Sequence, residues 1–475
     1  MDNYVTVVDK NVEPTKIEAK RTHFGNVFLW SSYDAADTLF SQGIISIVFQ
    51  PFVLLLAYEQ GITNYWTAFA LMSAFMAFSN LLVAIFGPII GSISDTIGKR
   101  KSAVLISASL MVISTLAFLI WRNFWWLSIM FVFANFGYQA GRMFYDSMIP
   151  FISKTDQRGV TSGISGSLSF IGTFAAIGLA QVAYSIWGKF SEPGKVFEEG
   201  ASITYTSLEW LTVIVIGAIL VFTIPFLFSK EKENTNSFSL KQNLKQAGIE
   251  FKDTLREIFQ YKNALLFILG WFFVTDASNT TILYMQLVMI DGVGADPGQA
   301  LMIIAMGGLL SMIGAIIVGV LLDKLGPKKN FIINIFSWFI AVSIAILACI
   351  EVDGKHIVPW QIMFLVGFFI GIGFGGIWLI GRQFVFEVAP PKKVTQYQGF
   401  KQIAGRVSAI ISPIMFLLML GLGVKLGLSI SNQYAIALAP LLVFFMIGLI
   451  IVLKYVDVHK EYLAGERAPY KKLLK

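Results

Sequence analysis

The sequence is poor in charged residues, cysteine and histidine, and these shortages exclude most kinds of soluble protein. Asp, Glu, Lys and Arg make up 14% of its 475 residues, against about 25% in soluble domains, whereas 56% of its residues are hydrophobic. The single cysteine, Cys349, cannot form an intrachain disulfide, and the histidines His23, His356 and His459 are too scattered for a metal site. We therefore expect neither redox nor metal chemistry, and no cofactor.

Enzymatic and nucleic-acid functions also find little support. The sequence offers no nucleophile with a base beside it, so an enzyme is not predicted. The net charge of +7 does not indicate nucleic-acid binding, because a lysine and arginine excess in cytoplasmic loops gives the same balance. The first 23 residues mix acidic residues with lysines and have no apolar core, so they do not resemble a cleavable signal peptide.

Long apolar segments recur from Val27 to Tyr455, each of about the 20 residues needed to cross a bilayer. They predict twelve membrane-spanning helices, near residues 24–58, 63–92, 101–121, 124–148, 158–187, 208–229, 263–290, 297–322, 329–350, 359–388, 397–424 and 433–455. The corresponding regions are an N-terminal tail (1–23), a six-helix bundle (24–229), a linker (230–262), a second six-helix bundle (263–455) and a C-terminal tail (456–475). The linker carries apolar residues at helical spacing between lysines, which predicts a basic amphipathic helix along the membrane surface.

Charge and tryptophan both orient these spans. Most of the 36 Lys and Arg residues fall in the tails and in the loops on the same side, whereas the opposite loops hold Arg122, Lys189, Lys195, Lys355 and Lys425. The outer ends of spans carry Trp66, Trp121, Trp125, Trp126, Trp187, Trp210 and Trp360. Since cytoplasmic loops are rich in Lys and Arg, we expect both termini in the cytoplasm, in a prokaryotic plasma membrane or a vacuole-type membrane.

The two bundles are related by three pairs of short matches, in the same order along each half. The matching segments are 34–38 with 276–280, 91–98 with 319–326, and 141–150 with 381–390. This internal repetition predicts two pseudo-symmetric bundles that can rock about an axis along the membrane normal.

The segment from Gly91 to Lys101 resembles the signature loop of the major facilitator superfamily, and 319–329 resembles its second copy. The resemblance implies an all-α, twelve-helix fold in which these loops latch the cytoplasmic side when the central cavity faces outward. Asp95, at the C-terminal end of a helix, faces the unfavourable end of the helix dipole and needs a partner, either Arg100 or the N-terminus of the eleventh helix. The expected gate residues are Gly91, Asp95, Gly98, Arg100, Gly319, Asp323 and Gly326.

Ionisable residues inside the spans are functional candidates, because a charge at mid-bilayer costs roughly 3 kcal/mol. The candidates for substrate binding or ion coupling are Asp34, Asp37, Arg142, Asp146, Asp276, Arg382, Glu387 and Arg406. Seven of them, all but Arg406, lie on the first, fourth, seventh and tenth helices, which line the cavity as the resemblance implies. We expect Asp34 or Asp276 to carry protons, or to pair with Arg142 or Arg382 in one conformer. The alternative is a static ion pair within one half, such as Arg142 with Asp146.

Other residues of the spans have simpler expected roles. Lys401 lies close enough to the cytoplasmic end of its span to snorkel to the surface. The glycines of the tenth span and the Ser and Gly cluster of the fifth predict close helix packing. Aromatic residues on the cavity helices that could stack on a substrate are Tyr33, Tyr138, Tyr145, Trp271 and Trp378.

The string from Tyr33 to Phe40 resembles the first-helix signature of the vacuole-effluxer-like branch of this superfamily, which is linked to the export of amino acids from vacuoles. Asp37 stands here in place of the usual Asn, and Ala35 in place of Trp. We therefore predict a monomeric secondary transporter of a small amino-acid-like zwitterion or anion, coupled to protons or another cation. The alternatives are a sugar:cation symporter and a non-transporting membrane sensor.

Overall fold

The structure is a computed structural model that describes residues 22–97, 100–200, 202–231, 261–389, 393–408 and 411–458. Within these ranges the side chains of some residues, Asp95 and Arg406 among them, are not described. Gly98, most of both tails (1–21 and 459–475) and the predicted amphipathic helix of the linker lie outside the described residues.

Almost every described element is helical. The α-helices are α1 Phe24–Leu39, α2 Gln50–Glu59, α3 Tyr65–Ile97, α4 Arg100–Leu116, α5 Phe124–Ser147, α6 Ile149–Ile152, α7 Arg158–Trp187, α8 Pro193–Glu199, α9 Thr206–Leu227, α10 Lys262–Leu287, α11 Pro297–Cys349, α12 Met363–Val388, α13 Val394–Ser408, α14 Ile411–Lys425 and α15 Ile430–Tyr455. Two π-helical segments, Phe40–Phe49 and Val288–Gly292, continue α1 and α10, and short 3-10 turns cover Ala117–Leu119, Thr155–Gln157 and Trp360–Ile362. Strands β1 Glu351–Val352 and β2 Lys355–His356 form an antiparallel hairpin with Glu351 opposite His356.

Nine helices within the described ranges are long and apolar enough to cross a membrane. The predicted count of twelve differs for three reasons. The eighth and ninth predicted spans are joined in α11, the eleventh is covered by α13 and α14 with residues 409–410 between them outside the described ranges, and the fourth, α5, is more polar than the others. Its polarity comes from buried side chains such as Asn135, Gln139 and Asp146, which face other helices instead of lipid. The predicted all-helical membrane fold is confirmed.

Gly326 divides α11 into two spans. Its φ of 77° and ψ of 169° are not helical, and Pro327 follows it directly. Only glycine adopts this φ and ψ without strain, and proline is well suited to begin the next helix. The Nδ2 atom of Asn330 donates to the carbonyl of Gly326 over 2.8 Å, which holds the turn. The gate glycine predicted at this position therefore has a local conformational role.

The two halves of the chain contact each other on the face that carries 91–101 and 319–329, which we call the signature-loop face. The carboxylate of Asp323 accepts hydrogen bonds from the backbone N–H groups of Gly159, at 2.7 Å, and Val160, at 2.8 Å. These are orphan donors of the first turn of α7, so a residue of the second half caps a helix of the first. A Cβ on Gly319 would lie 2.6 Å from the carbonyl oxygen of Gly159, so the two backbones touch.

The first copy of the signature loop makes an equivalent close approach. A Cβ on Gly91 of α3 would lie 3.2 Å from the backbone nitrogen of Gln396 in α13. Asp95 lies on α3, one turn further along the helix, and its side chain is not described. Arg100 begins α4 and packs its guanidinium over the ring of Phe151 at 4.5 Å. In this conformation the signature-loop face is closed by contacts between the halves.

Candidate functional site

Asp34 lies at the centre of a buried polar cluster, ten residues into α1 and so about 15 Å from its first residue. The Ser165 hydroxyl of α7 donates to Asp34 Oδ2 over 2.5 Å, and Arg382 Nη2 of α12 donates to the same oxygen over 3.3 Å. Tyr145 supports Ser165 with a hydroxyl contact of 2.7 Å and stacks on Trp30 with ring centroids 4.4 Å apart. Four helices thus meet at one carboxylate.

Arg142 of α5 joins the two aspartates of α1. Its Nη1 atom lies 3.4 Å from Asp34 Oδ1 and also donates to Asp37 Oδ2 in a shorter ion pair. Asp34 and Asp37 are three residues apart, so they lie on one face of the helix, and a shared cation offsets their mutual repulsion. Both carboxylates are buried, whereas the side chain of Arg142 is 23% exposed.

Asp146 is held by two cations from the other half of the chain. Arg382 Nε lies 2.8 Å from Asp146 Oδ1, and Lys401 Nζ of α13 lies 3.5 Å from Oδ2. The Arg382 contact has the distance of an ion pair, but its geometry is not that of a hydrogen bond. All three side chains are at most 6% exposed. Arg382 therefore binds two carboxylates, Asp34 and Asp146, that belong to the other half of the chain.

The cluster combines three carboxylates with three cations. The members are Asp34, Asp37, Asp146, Arg142, Arg382 and Lys401. An uncompensated charge in this setting would cost several kcal/mol, so the balance explains how six ionisable groups are tolerated inside a membrane protein. The same balance means that losing or adding one charge leaves the cluster uncompensated. Such a cluster can respond to a proton or to a charged ligand.

Glycine precedes each of the two arginines because an aromatic ring packs at that place. A Cβ on Gly141 would lie 2.7 Å from the Tyr33 hydroxyl, and a Cβ on Gly381 would overlap the indole of Trp271. The first and seventh spans thus press an aromatic side chain against the fourth and tenth. This packing fixes the backbone from which Arg142 and Arg382 extend.

Substituting Gly381 by alanine is expected to lower the free energy of unfolding by about 1 to 3 kcal/mol, because the added methyl group overpacks against Trp271. Thermal unfolding of the detergent-purified protein measures the loss. Gly421→Ala is the matched control, because a Cβ at that helical position would meet nothing within 4 Å. Equal stability of the two variants would contradict the packing described for Trp271.

Asp276 has a different partner from the one predicted. It is fully buried in α10, and the backbone nitrogen of Ser412 in α14 donates to both of its carboxylate oxygens at 3.1 Å. A hydrogen bond from a backbone N–H group stabilises an ionised carboxylate. The expected pairing of Asp276 with Arg142 or Arg382 is not seen in this conformation.

One alternative and one expectation for charged residues differ from the structure. The alternative, an ion pair of Arg142 with Asp146, is not formed, since Arg142 pairs with Asp34 and Asp37 and Asp146 contacts Arg382 and Lys401. Lys401 does not snorkel to the membrane surface, because its side chain is 6% exposed and lies beside Asp146, 5.9 Å from the ring of Trp271. Asp146 and Lys401 instead contact each other across the two halves of the chain.

The other predicted site residues fall around the cluster or away from it. Tyr33 and Tyr145 are buried beside Asp34 and Asp37, and Tyr138 packs against Phe40 at 5.2 Å. Trp378 is half-buried and meets Trp271 edge to face at 5.9 Å. Glu387 is buried near the end of α12, and Arg406 lies on α13 with its side chain not described.

Three members of the site were missed by sequence reasoning or given another role. Ser165 was assigned to helix packing together with its Ser and Gly neighbours, and Lys401 to the surface. Trp30, whose ring lies 5.9 Å from the Arg382 guanidinium, was not singled out. A serine fits a packed helix face as well as a hydrogen-bond network, so the sequence carries no signal that separates the two roles of Ser165.

Comparison with known proteins agrees with this architecture. The sequence profile of the Major Facilitator Superfamily matches residues 38–413 and 266–473. The chain is 22% identical over 436 residues to the MFS-type transporter YxiO of Bacillus subtilis (strain 168). The alignment covers 89% of this chain and 93% of that protein.

Two solved structures have a similar fold. The transporter FucP in its outward conformation superposes with a TM-score of 0.63 at 13% identity, covering 90% of this chain and 98% of that one. The proton:xylose symporter XylE, bound to 6-bromo-6-deoxy-D-glucose, gives a TM-score of 0.60 at 12% identity, covering 93% and 98%. The profile covers well over half of the sequence, and the helices, the repeated signature loops and the contact between two halves all agree with it. The chain belongs to the major facilitator superfamily of membrane transporters.

Proposed function

We propose that the protein is a secondary active transporter that carries a small polar metabolite by alternating access, driven by a proton gradient. It is a monomer in the bilayer with both termini in the cytoplasm. Its substrate is an amino acid or a similar zwitterion or anion, as in the vacuole-effluxer-like branch. The observation that carries the proposal is the set of buried ion pairs that Arg382 and Lys401 make with Asp34 and Asp146 of the opposite half.

These ion pairs give a reason for coupling. If the halves rock apart to open the signature-loop face, Arg382 must leave at least one of its two carboxylates. A buried charge left without its partner costs about 3 to 5 kcal/mol. Protonation of a carboxylate removes that cost, and so does a charged substrate that takes the partner's place. The opening motion is thereby tied to what occupies the site.

A sugar:cation symporter is the second candidate, because XylE and FucP share the fold, and their structures are described as a proton:xylose symporter and a fucose:proton symporter. A non-transporting sensor would use the same scaffold without moving a solute. Proteoliposomes loaded with unlabelled solute and offered the labelled solute outside distinguish these functions by counterflow. We expect exchange of an amino acid or related carboxylate; exchange of a sugar alone supports the second candidate, and no exchange of either class contradicts transport.

Asp34→Asn is expected to abolish accumulation driven by an imposed pH gradient while leaving counterflow exchange, because exchange needs no net proton movement. Asp276→Asn tests the same role for the second predicted coupling residue. Asp291→Asn is the control: this aspartate is exposed at the outer end of the seventh span and accepts from the Tyr434 hydroxyl at 3.1 Å. Equal loss of accumulation and exchange in Asp34→Asn would contradict a coupling role.

A further inference from the structure

We propose that Arg142 binds a carboxylate group of the substrate and that Asp37 takes up a proton in the same step. This inference rests on the proposed transport function, narrows its substrate class to compounds with a carboxylate group, and places the proton on Asp37, which shares Arg142 with Asp34. Its physical basis is that the three cations of the cluster differ in the exposed fraction of their side chains and in the carboxylates that they contact.

Arg142 is the accessible cation. Its side chain is 23% exposed, whereas that of Arg382 is 2% exposed and that of Lys401 6%. Both are also paired with carboxylates of the opposite half, Arg382 with Asp34 and Asp146 and Lys401 with Asp146. A solute entering the site in this conformation can therefore reach Arg142 without breaking the contacts between the halves.

The guanidinium of Arg142 also keeps an unused binding edge. Both of its ion pairs, with Asp34 and with Asp37, are made by the Nη1 atom. Within the described part of the chain, Nε and Nη2 have no carboxylate partner. That edge of a guanidinium has two parallel N–H groups, whose spacing matches the two oxygens of a carboxylate. A carboxylate ligand is therefore favoured over a neutral hydroxyl compound at this place.

Asp37 is the carboxylate best placed to receive a proton. Its Oδ2 atom is bound by Arg142, while its buried Oδ1 atom has no hydrogen-bond partner among the described residues. Asp34, by contrast, is also held by Ser165 and Arg382. An ionised oxygen without a donor is costly to bury, and a proton on this carboxylate lowers the cost. Among the described residues, Asp37 thus has Arg142 as its one cationic partner.

The other groups around Asp37 favour the same assignment. The charged side chains that act on it are Arg142, Asp34 and Asp146, and the phenol groups of Tyr33 and Tyr138 interact with the same ion pair. A bound carboxylate would add one negative charge to a cluster of three carboxylates and three cations. One proton on Asp37 restores the balance, so substrate carboxylate and proton bind together as one anion and one cation. No covalent bond other than the O–H bond forms or breaks.

The test uses purified protein in proteoliposomes, with L-alanine, L-glutamate and succinate as carboxylate probes and D-xylose as the probe without one. Wild-type protein is expected to bind a carboxylate probe with an affinity that falls about tenfold per pH unit while Asp37 is ionised, since one proton is bound with it. In Asp37→Asn, the binding affinity should lose its pH slope and binding should no longer be accompanied by proton movement. Arg142→Gln should weaken carboxylate binding about 10- to 100-fold.

Arg122→Gln is the matched control, because Arg122 pairs with Glu209 at the outer surface, at 2.7 Å, away from the cluster. It should behave as the wild type. If Arg142→Gln does not fold, the pH slope of Asp37→Asn decides by itself. The inference is overturned if Asp37→Asn keeps the wild-type slope, or if only D-xylose is exchanged, an outcome in which the transport function still stands. No exchange of any probe would overturn the transport function and this inference with it.

Discussion

Replacing Arg382 by glutamine is expected to lower the free energy of unfolding by about 3 to 5 kcal/mol and to abolish transport. Arg382 lies 3.3 Å from Asp34 and 2.8 Å from Asp146, and all three side chains are almost fully buried. Without the guanidinium, two carboxylates of the first half would keep only Arg142 and Lys401 as cationic partners. Thermal unfolding in detergent and counterflow in proteoliposomes measure the two effects.

A second substitution separates the charge effect from a packing effect. In Arg382→Gln combined with Asp146→Asn, one cation and one carboxylate are removed together, so much of the lost stability should return. Arg122→Gln, at an exposed ion pair with Glu209, should cost less than about 1 kcal/mol. If Arg382→Gln were no less stable than Arg122→Gln, the two buried carboxylates would not depend on Arg382.

Asp323→Ala is expected to shift the conformational equilibrium away from the closed signature-loop face by about 30- to 150-fold. Asp323 makes two charge-assisted hydrogen bonds, of 2.7 and 2.8 Å, to the first turn of α7 in the other half. Losing both would cost about 2 to 3 kcal/mol in the closed conformer alone, because the bonds exist only while the halves touch. The variant should therefore favour the conformer that is open on this face.

Cysteine accessibility measures this shift. Ser167 lies at the contact between the halves, where its hydroxyl donates to the carbonyl of Met312 over 2.7 Å. A cysteine placed there in a Cys349→Ser background should react faster with a water-soluble maleimide once Asp323→Ala is added. Asp296→Ala is the control, because Asp296 also accepts two backbone hydrogen bonds at a helix N-terminus but within its own half. Equal labelling rates in the two variants would show that Asp323 does not hold the halves together.

The general architecture could be predicted because each of its signals is local. An apolar run of about 20 residues predicts a membrane span wherever it occurs. A charged residue inside such a run is a functional candidate, because placing a charge in the bilayer costs free energy. The repeated loops around Asp95 and Asp323 predicted contacts that close one face, and the second copy makes them, with the N-terminus of α7 as its partner. For Asp95 the sequence analysis likewise proposed a helix N-terminus, that of the eleventh helix, as one of two possible partners.

Pairing of Asp34 with Arg142 or Arg382 could be expected from the resemblance, which places their helices around one cavity, and both pairs are present. The partners of Asp146 could not be predicted, because Arg382 and Lys401 lie in the other half of the chain and no periodicity within either half relates them to it. For the same reason Lys401, near the end of a predicted span, was expected at the surface, whereas contact with the first half buries it beside Asp146. Asp276 was expected to form an ion pair, but it accepts a hydrogen bond from the backbone N–H group of Ser412 instead.

The central claim is that the buried ion pairs of Arg382 join two halves that separate when the signature-loop face opens. The most direct test is the distance between spin labels at positions 154 and 324, on opposite halves of that face, in a Cys349→Ser background. Pulsed electron paramagnetic resonance should give a short distance in the wild type and a second, longer one that grows in Arg382→Gln and on addition of a transported carboxylate. A single distance, unchanged by the substitution and by the substrate, would contradict the claim.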